Sequence, residues 1–168
     1  MGKLGTVLIA LAVCISLATA ASFSYEDCGS SKKIYTINDA SMSPDPAIQG
    51  KDVTVTADGT LSGTINGGSW SVTIKFGILP VKTVTGDTCD ILKDCPCPCS
   101  TKDTSVAVTI PVDSFAPNGD YTGTFTAKNG DSSEVGCISF KFHMGASSID
   151  SLDAELFWKH YLTNSTSN

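Results

Sequence analysis

The chain has no arginine: all 11 of its basic residues are lysine. Without arginine it lacks the planar guanidinium fork that grips phosphate and carboxylate groups bidentately. The lysines do not cluster and the net charge is -6, so a nucleic-acid backbone is excluded as a partner. An anionic head group would meet only point charges here, which argues mildly for a neutral ligand. Histidine is almost as scarce. His143 lies in an extended run beside Phe142 and Met144, His160 lies near the carboxyl end, and neither belongs to a triad, an HExxH or a carboxylate–histidine pattern. GxSxG, Walker and GxGxxG loops are missing, and acid pairs such as Glu26-Asp27 are ordinary in an acidic chain. The expectation is a protein that is not an enzyme and that needs no metal or cofactor. Long apolar runs are also missing once the first twenty residues are passed, so no later segment suits a bilayer span.

Those first residues are different. Met1 to Lys3 lead into "LGTVLIALAVCISLA" and then Ala18-Thr19-Ala20, the charged start, short apolar core and small-x-small site of a secretory signal peptide. Cleavage after Ala20 divides the chain into residues 1–20, a β domain at 21–145 and a tail at 146–168. Losing Lys3 takes the charge from -6 to -7, and losing Cys14 takes seven cysteines to six. The mature chain is expected in the secretory route, in a lysosomal or endosomal lumen, or outside the cell.

An even cysteine number in an oxidising compartment favours disulfides over thiolate chemistry. Four of the six crowd into "CDILKDCPCPC", residues 89 to 99. Cys95, Cys97 and Cys99 stand too close together for the two-to-four-residue spacing of a zinc hairpin, and a redox CxxC is absent. Metal and redox readings are therefore the weaker ones, although six cysteines allow fifteen pairings and spacing does not choose among them.

Alternation with period two dominates the interior. In "WSVTIKFGI", Trp70, Val72, Ile74, Phe76 and Ile78 share one face against Ser71, Thr73 and Lys75, the pattern of a half-buried strand. Val53, Val55 and Ala57 alternate with threonines, as do Val106, Val108 and Ile110; Tyr121, Phe125 and Ala127 do so in "DYTGTFTA", and Ile138, Phe140, Phe142 and Met144 line one side of "CISFKFHM". "SPDPAIQGK", "NGGS", "APNGD" and "KNGD" punctuate these runs with turn residues. The pattern predicts an all-β fold: an immunoglobulin-like sandwich of two antiparallel sheets with their apolar faces together.

The tail "SSIDSLDAELFWKHYL" reads differently. Ile149, Leu152, Leu156 and His160 recur at helical spacing, with acids early and Lys159 late, which predicts a short amphipathic helix capped by Ser148 or Ser151. Packing over a sandwich edge is favoured over a membrane toe made by Leu156, Phe157 and Trp158. Asn164-Ser165-Thr166 is a glycosylation sequon, making Asn164 a candidate glycan site in a secreted protein.

The order "YEDCGS", "SPDPAIQGK", an aromatic-rich strand ending at "GILP", "CDILKDCP", "IPV", "GDYTGTFTA" and "GCISFKF" resembles the ML-domain lipid-recognition family from about Tyr25 to Phe142. That family includes a lysosomal cholesterol carrier and fungal and amoebal phosphatidylglycerol/phosphatidylinositol transfer proteins. The resemblance implies a sandwich whose sheets splay around a lipid. It also implies pairing of Cys28 with Cys137, closing a loop of more than a hundred residues, a crosslink of about 4 to 5 kcal/mol in the chain-entropy account. It implies pairing of Cys89 with Cys95. Cys97 and Cys99 are additional to the family pattern, and either bond each other across Pro98 or compete with Cys95 for Cys89. A cysteine pair common after "SP" in animal members is missing.

The lipid-binding candidates follow. Trp70, Val72, Ile74, Phe76 and Ile78, with Val55, Tyr121, Phe125, Ile138, Phe140 and Phe142, offer apolar area and few polar groups, so a sterol or acyl chain would bind by area removed from water, about 25 cal/mol per Å². A closed sandwich core shows the same alternation; the cavity is what the resemblance implies. The resemblance places the mouth at Leu79-Pro80-Val81 and Val112 to Phe115, with Val81 and Phe115 as lips. The expected function is binding and transfer of a sterol or phospholipid by a monomer in transient membrane contact. The other class that fits is a secreted sandwich interaction module, for adhesion, immune recognition or hydrolase activation, without transfer.

Overall fold

The computed structural model describes residues 23–145. The signal peptide at 1–20, the tail helix and Asn164 lie outside the described residues. Nine strands form two sheets: β1 (Ser24–Asp27), β2 (Tyr35–Ser43), β3 (Ala47–Ile48), β4 (Val53–Leu61), β5 (Ser69–Phe76), β6 (Leu79–Asp87), β7 (Asp103–Ile110), β8 (Gly119–Lys128) and β9 (Glu134–Gly145). A 3-10 turn, Thr88–Ile91, follows β6. The larger sheet runs β1-β9-β8-β5-β6, with β3 also on β9; the smaller runs β2-β4-β7. All pairings are antiparallel except the two-residue match of β3 with β9. This is the two-sheet sandwich that the alternation predicts.

Register explains why the inner face is continuous. Trp70, Val72, Ile74 and Phe76 stand opposite Ala127, Phe125, Gly123 and Tyr121, which stand in turn opposite Gly136, Ile138, Phe140 and Phe142. Side chains alternate across a strand, so this register sends one apolar row after another into the same layer. Gly123 is required there: a Cβ at that position would overlap the Phe140 ring, which lies across the strand in its place. On the outer faces, hydroxyls pair across strands, Thr54 with Thr109 and Ser71 with Thr126, both at 3.1 Å. Such cross-strand pairs hold register while facing water.

Two expectations are corrected here. Ile78 does not continue the inner row of β5. The strand ends at Phe76, and Gly77, at φ +59°, turns the chain so that Ile78 sits at a hairpin tip, 91 % exposed. The second correction is the cysteine pairing. Cys28 bonds Cys137, but Cys89 bonds Cys97, not Cys95, and Cys95 bonds Cys99. Burial sorts the partners. Cys99 is held in the core by reciprocal 2.9 Å backbone bonds with Ile65, and Cys95 is buried beside it. Cys89 and Cys97 are both half-buried, on the outer side of the same loop.

That loop has a topological task. β6 and β7 are edge strands of different sheets. Between them the chain bridges from Leu92 to Val106, with Lys93 N–H donating to the Ser105 carbonyl, so the 88–99 segment closes the gap between the layers at one end of the sandwich. All three disulfides lie toward this end.

Candidate functional site

The space between the layers is apolar along its length, and it contains three hollows in series. The deepest, about 30 Å³, lies at the disulfide end among Tyr35, Ile65, Ile91, Ala127 and Val135. The next, about 20 Å³, is bounded by Val55, Val72, Val108, Phe125 and Phe140. The two share Ala57, Val106, Phe125 and Ile138 as walls. The third is an open hollow of about 360 Å³ at the opposite end, among Val81, Val112, Phe115, Tyr121 and Met144, and it meets the 20 Å³ cavity at Ile110. The two interlayer hollows are each of water size and lack polar partners, so they suit hydrocarbon contact and not hydration.

Aromatic packing fills the rest of the layer. Trp70 stacks on Phe125 with ring centroids 6.0 Å apart, Phe76 meets Tyr121 at 5.0 Å, and Tyr121 stacks on Phe142 at 5.4 Å, which reaches Phe140 at 6.1 Å. The Tyr121 hydroxyl donates to the Pro117 carbonyl at 2.7 Å, and burial raises its pKa above the ordinary phenol value. This anchors the 111–118 loop against the large sheet at the open end. On the small sheet, the Tyr35 hydroxyl lies 2.9 Å from the Ala57 carbonyl and 3.0 Å from that of Thr104 and donates between them.

The sequence-derived candidates divide into three groups. Val55, Val72, Phe125, Ile138 and Phe140 wall the interlayer hollows. Trp70, Ile74, Phe76 and Phe142 pack in the same layer without bordering those voids. Val81, Val112, Phe115 and Tyr121 border the open hollow, where Phe115 is 92 % exposed; Ile78 and Leu79, also exposed, stand at the β5–β6 hairpin that leads into Val81. An exposed apolar cluster beside an apolar hollow marks an interaction surface. Missing from the candidates are the small-sheet walls Ala57, Val106, Val108 and Ile110, although their alternation with polar residues was readable. Tyr35, Ile65 and Ile91 carry no such pattern. Also missing is the pair Lys82 and Asp113, whose side chains meet at the open hollow, Nζ to Oδ2 3.3 Å. Among the described residues no three His, Cys, Asp or Glu side chains gather as a cation site.

A two-sheet sandwich with an apolar interlayer reaching a greasy rim is the class that fold and site define. The sequence pattern of the ML domain matches residues 22–144, and the chain belongs to that family. It is 31 % identical over 132 residues to a Dictyostelium discoideum protein provisionally named phosphatidylglycerol/phosphatidylinositol transfer protein 2, a match covering 76 % of this chain and 92 % of that protein. The phosphatidylglycerol/phosphatidylinositol transfer protein of Mycosarcoma maydis is 25 % identical over 126 residues, covering 72 % and 65 %. In fold, the chain is similar to a Niemann-Pick type C2 protein from Japanese carpenter ant, with a TM-score of 0.57 at 19 % identity, over 73 % of this chain and 99 % of that one.

Proposed function

We propose that this protein holds the hydrocarbon part of one lipid, sterol or phospholipid, between its two sheets and carries it between membranes. The observation that carries this reading is the series of apolar hollows connecting a closed, crosslinked end to an open, greasy rim. The names of the amoebal and fungal relatives favour a phospholipid. In the present conformation the interlayer hollows total far less than an acyl chain needs, so loading requires the layers to part. Parting is cheapest at the rim, away from the crosslinked connections of the other end. The exchange replaces side-chain contacts with lipid contacts, so apolar area stays out of water and the net cost is modest. The rim touches the bilayer, the tail slides inward, and no bond is made or broken, so no catalytic residue is needed. Three disulfides fit an oxidising compartment, the lysosomal lumen or the cell exterior.

Organic extraction of natively purified protein followed by mass spectrometry tests the reading. About one sterol or phospholipid per chain is expected; an empty extract, together with no transfer between vesicles, would overturn it. The small size of the interlayer hollows favours a second reading, a closed sandwich that recognises a protein. That reading requires a protein complex which persists when Phe125 is changed to a polar residue.

A further inference from the structure

We propose that Lys82 is the head-group reader of this site, selecting phospholipids whose head group carries a net negative charge, and that Asp113 is the carboxylate such a head group displaces. This rests on the lipid-carrying reading and narrows its ligand class. Lys82 and Asp113 are the two charged residues among those bordering the open hollow. They belong to different elements, β6 and the 111–118 loop, and meet at the hollow. Their exposures are unequal, and that asymmetry is informative. The Lys82 side chain is 28 % exposed, whereas the Asp113 side chain is 73 % exposed. The lysine is thus the more buried partner at the hollow, and the carboxylate is free to turn into water without disturbing the fold.

An ion pair with one partner so exposed contributes about 0 to 1 kcal/mol, so its exchange for another anion costs little. A phosphodiester offers the ammonium the same charge-assisted bond that the carboxylate does. It has an advantage that free phosphate lacks. Its acyl chains can follow the hollow past Ile110 into the layer, where the walls are apolar. The occupant is thus an anionic phospholipid and not a soluble phosphate. A sterol or a zwitterionic lipid gains less, since its head brings no net negative charge to replace Asp113.

The test uses the mature full-length chain and vesicles containing phosphatidylglycerol, phosphatidylcholine or cholesterol as the transferable lipid. Wild type is expected to favour phosphatidylglycerol. Lys82→Gln should lower phosphatidylglycerol transfer about tenfold, the scale of one charge-assisted hydrogen bond, while lowering phosphatidylcholine transfer less, because choline offsets its phosphate, and cholesterol transfer least. Asp113→Asn frees the ammonium and should raise phosphatidylglycerol transfer several-fold, more than it raises phosphatidylcholine or cholesterol transfer. Equal losses for all three lipids in Lys82→Gln, no loss for any, or a fall with Asp113→Asn would each overturn the assignment while the lipid reading stands. Transfer of none of the lipids by the wild type would bring down both.

Discussion

At one end of the sandwich, three disulfides secure the connections between the layers: Cys28–Cys137 ties the start of the β1–β2 connection to β9, and the other two stiffen the β6–β7 connection, which the Ile65–Cys99 bridge joins to the β4–β5 one. At the other, contact between elements rests on weaker ties: the Gln49 amide donating to the Ala116 carbonyl at 2.6 Å, the Tyr121 hydroxyl on Pro117, and the Lys82–Asp113 pair. The same chain thus builds a hinge and a mouth from one pair of sheets. Covalent links act on every conformation the chain visits, whereas a hydrogen bond at a surface contributes about 1 kcal/mol and can be exchanged with water. The crosslinks stiffen the connections at one end only, which favours opening at the rim, even though the apolar packing is continuous from end to end.

The largest expected effect comes from cutting the hinge. Cys28–Cys137 spans 109 residues and pins the crossover from β1 in the large sheet to β2 in the small one. Replacing both cysteines by serine should lower unfolding free energy by about 4 to 5 kcal/mol, measured by chemical denaturation. Cys95–Cys99 closes only 4 residues, and its loss should cost about 2 kcal/mol on the same account. Equal costs for the two would mean that the long loop is already ordered in the unfolded ensemble.

Tyr35 offers a second, smaller probe of the crosslinked end. Burial, aided by the nearby Asp58 charge, raises its phenol pKa well above 10.0. The folded state keeps this proton at a pH where the unfolded chain releases it. Its contribution to stability is therefore whole below about pH 10 and declines as pH rises beyond that. Tyr35→Phe should cost about 1 kcal/mol at neutral pH through the lost hydrogen bond, and stability of the variant should fall less steeply above pH 10. Parallel alkaline limbs for the two proteins would remove Tyr35 from the account.

The inner faces of β5, β8 and β9 were legible because burial on one side only imposes a period of two, and Trp70 through Phe76 keep to it. Strands β2 and β6 were not, for a physical reason as well. Both are edge strands with polar residues on half-exposed faces, and β2 carries a bulge between Ile37 and Asp39 that breaks the alternation. Ile78 obeyed the period yet left the layer, since Gly77 turns the chain where the pattern alone continues. The cysteines of the 89–99 loop could be counted but not matched, because their partners are chosen by which side of a folded loop each sulfur faces. Lys82 and Asp113 lie 31 residues apart, and nothing local to either one signals the other.

The smallest expected change in stability belongs to the rim, and there the comparison is sharpest. Ile78 and Phe115 are 91 % and 92 % exposed, so the double substitution to serine removes almost no buried area and should alter unfolding free energy by no more than about 0.5 kcal/mol. Its effect on function should be much larger. Each side chain entering a bilayer interface gains on the order of 1.5 kcal/mol or more, so losing both should reduce vesicle-to-vesicle transfer by about tenfold or more. On the proposed reading, lipid already held between the sheets should survive in the extract of the purified variant. All lipids should be affected alike, in contrast to Lys82→Gln, because a docking rim acts before any head group is read. If transfer is unchanged in the double variant, the greasy rim is not where the protein meets the membrane, and the unstapled end has lost its claim to be the mouth.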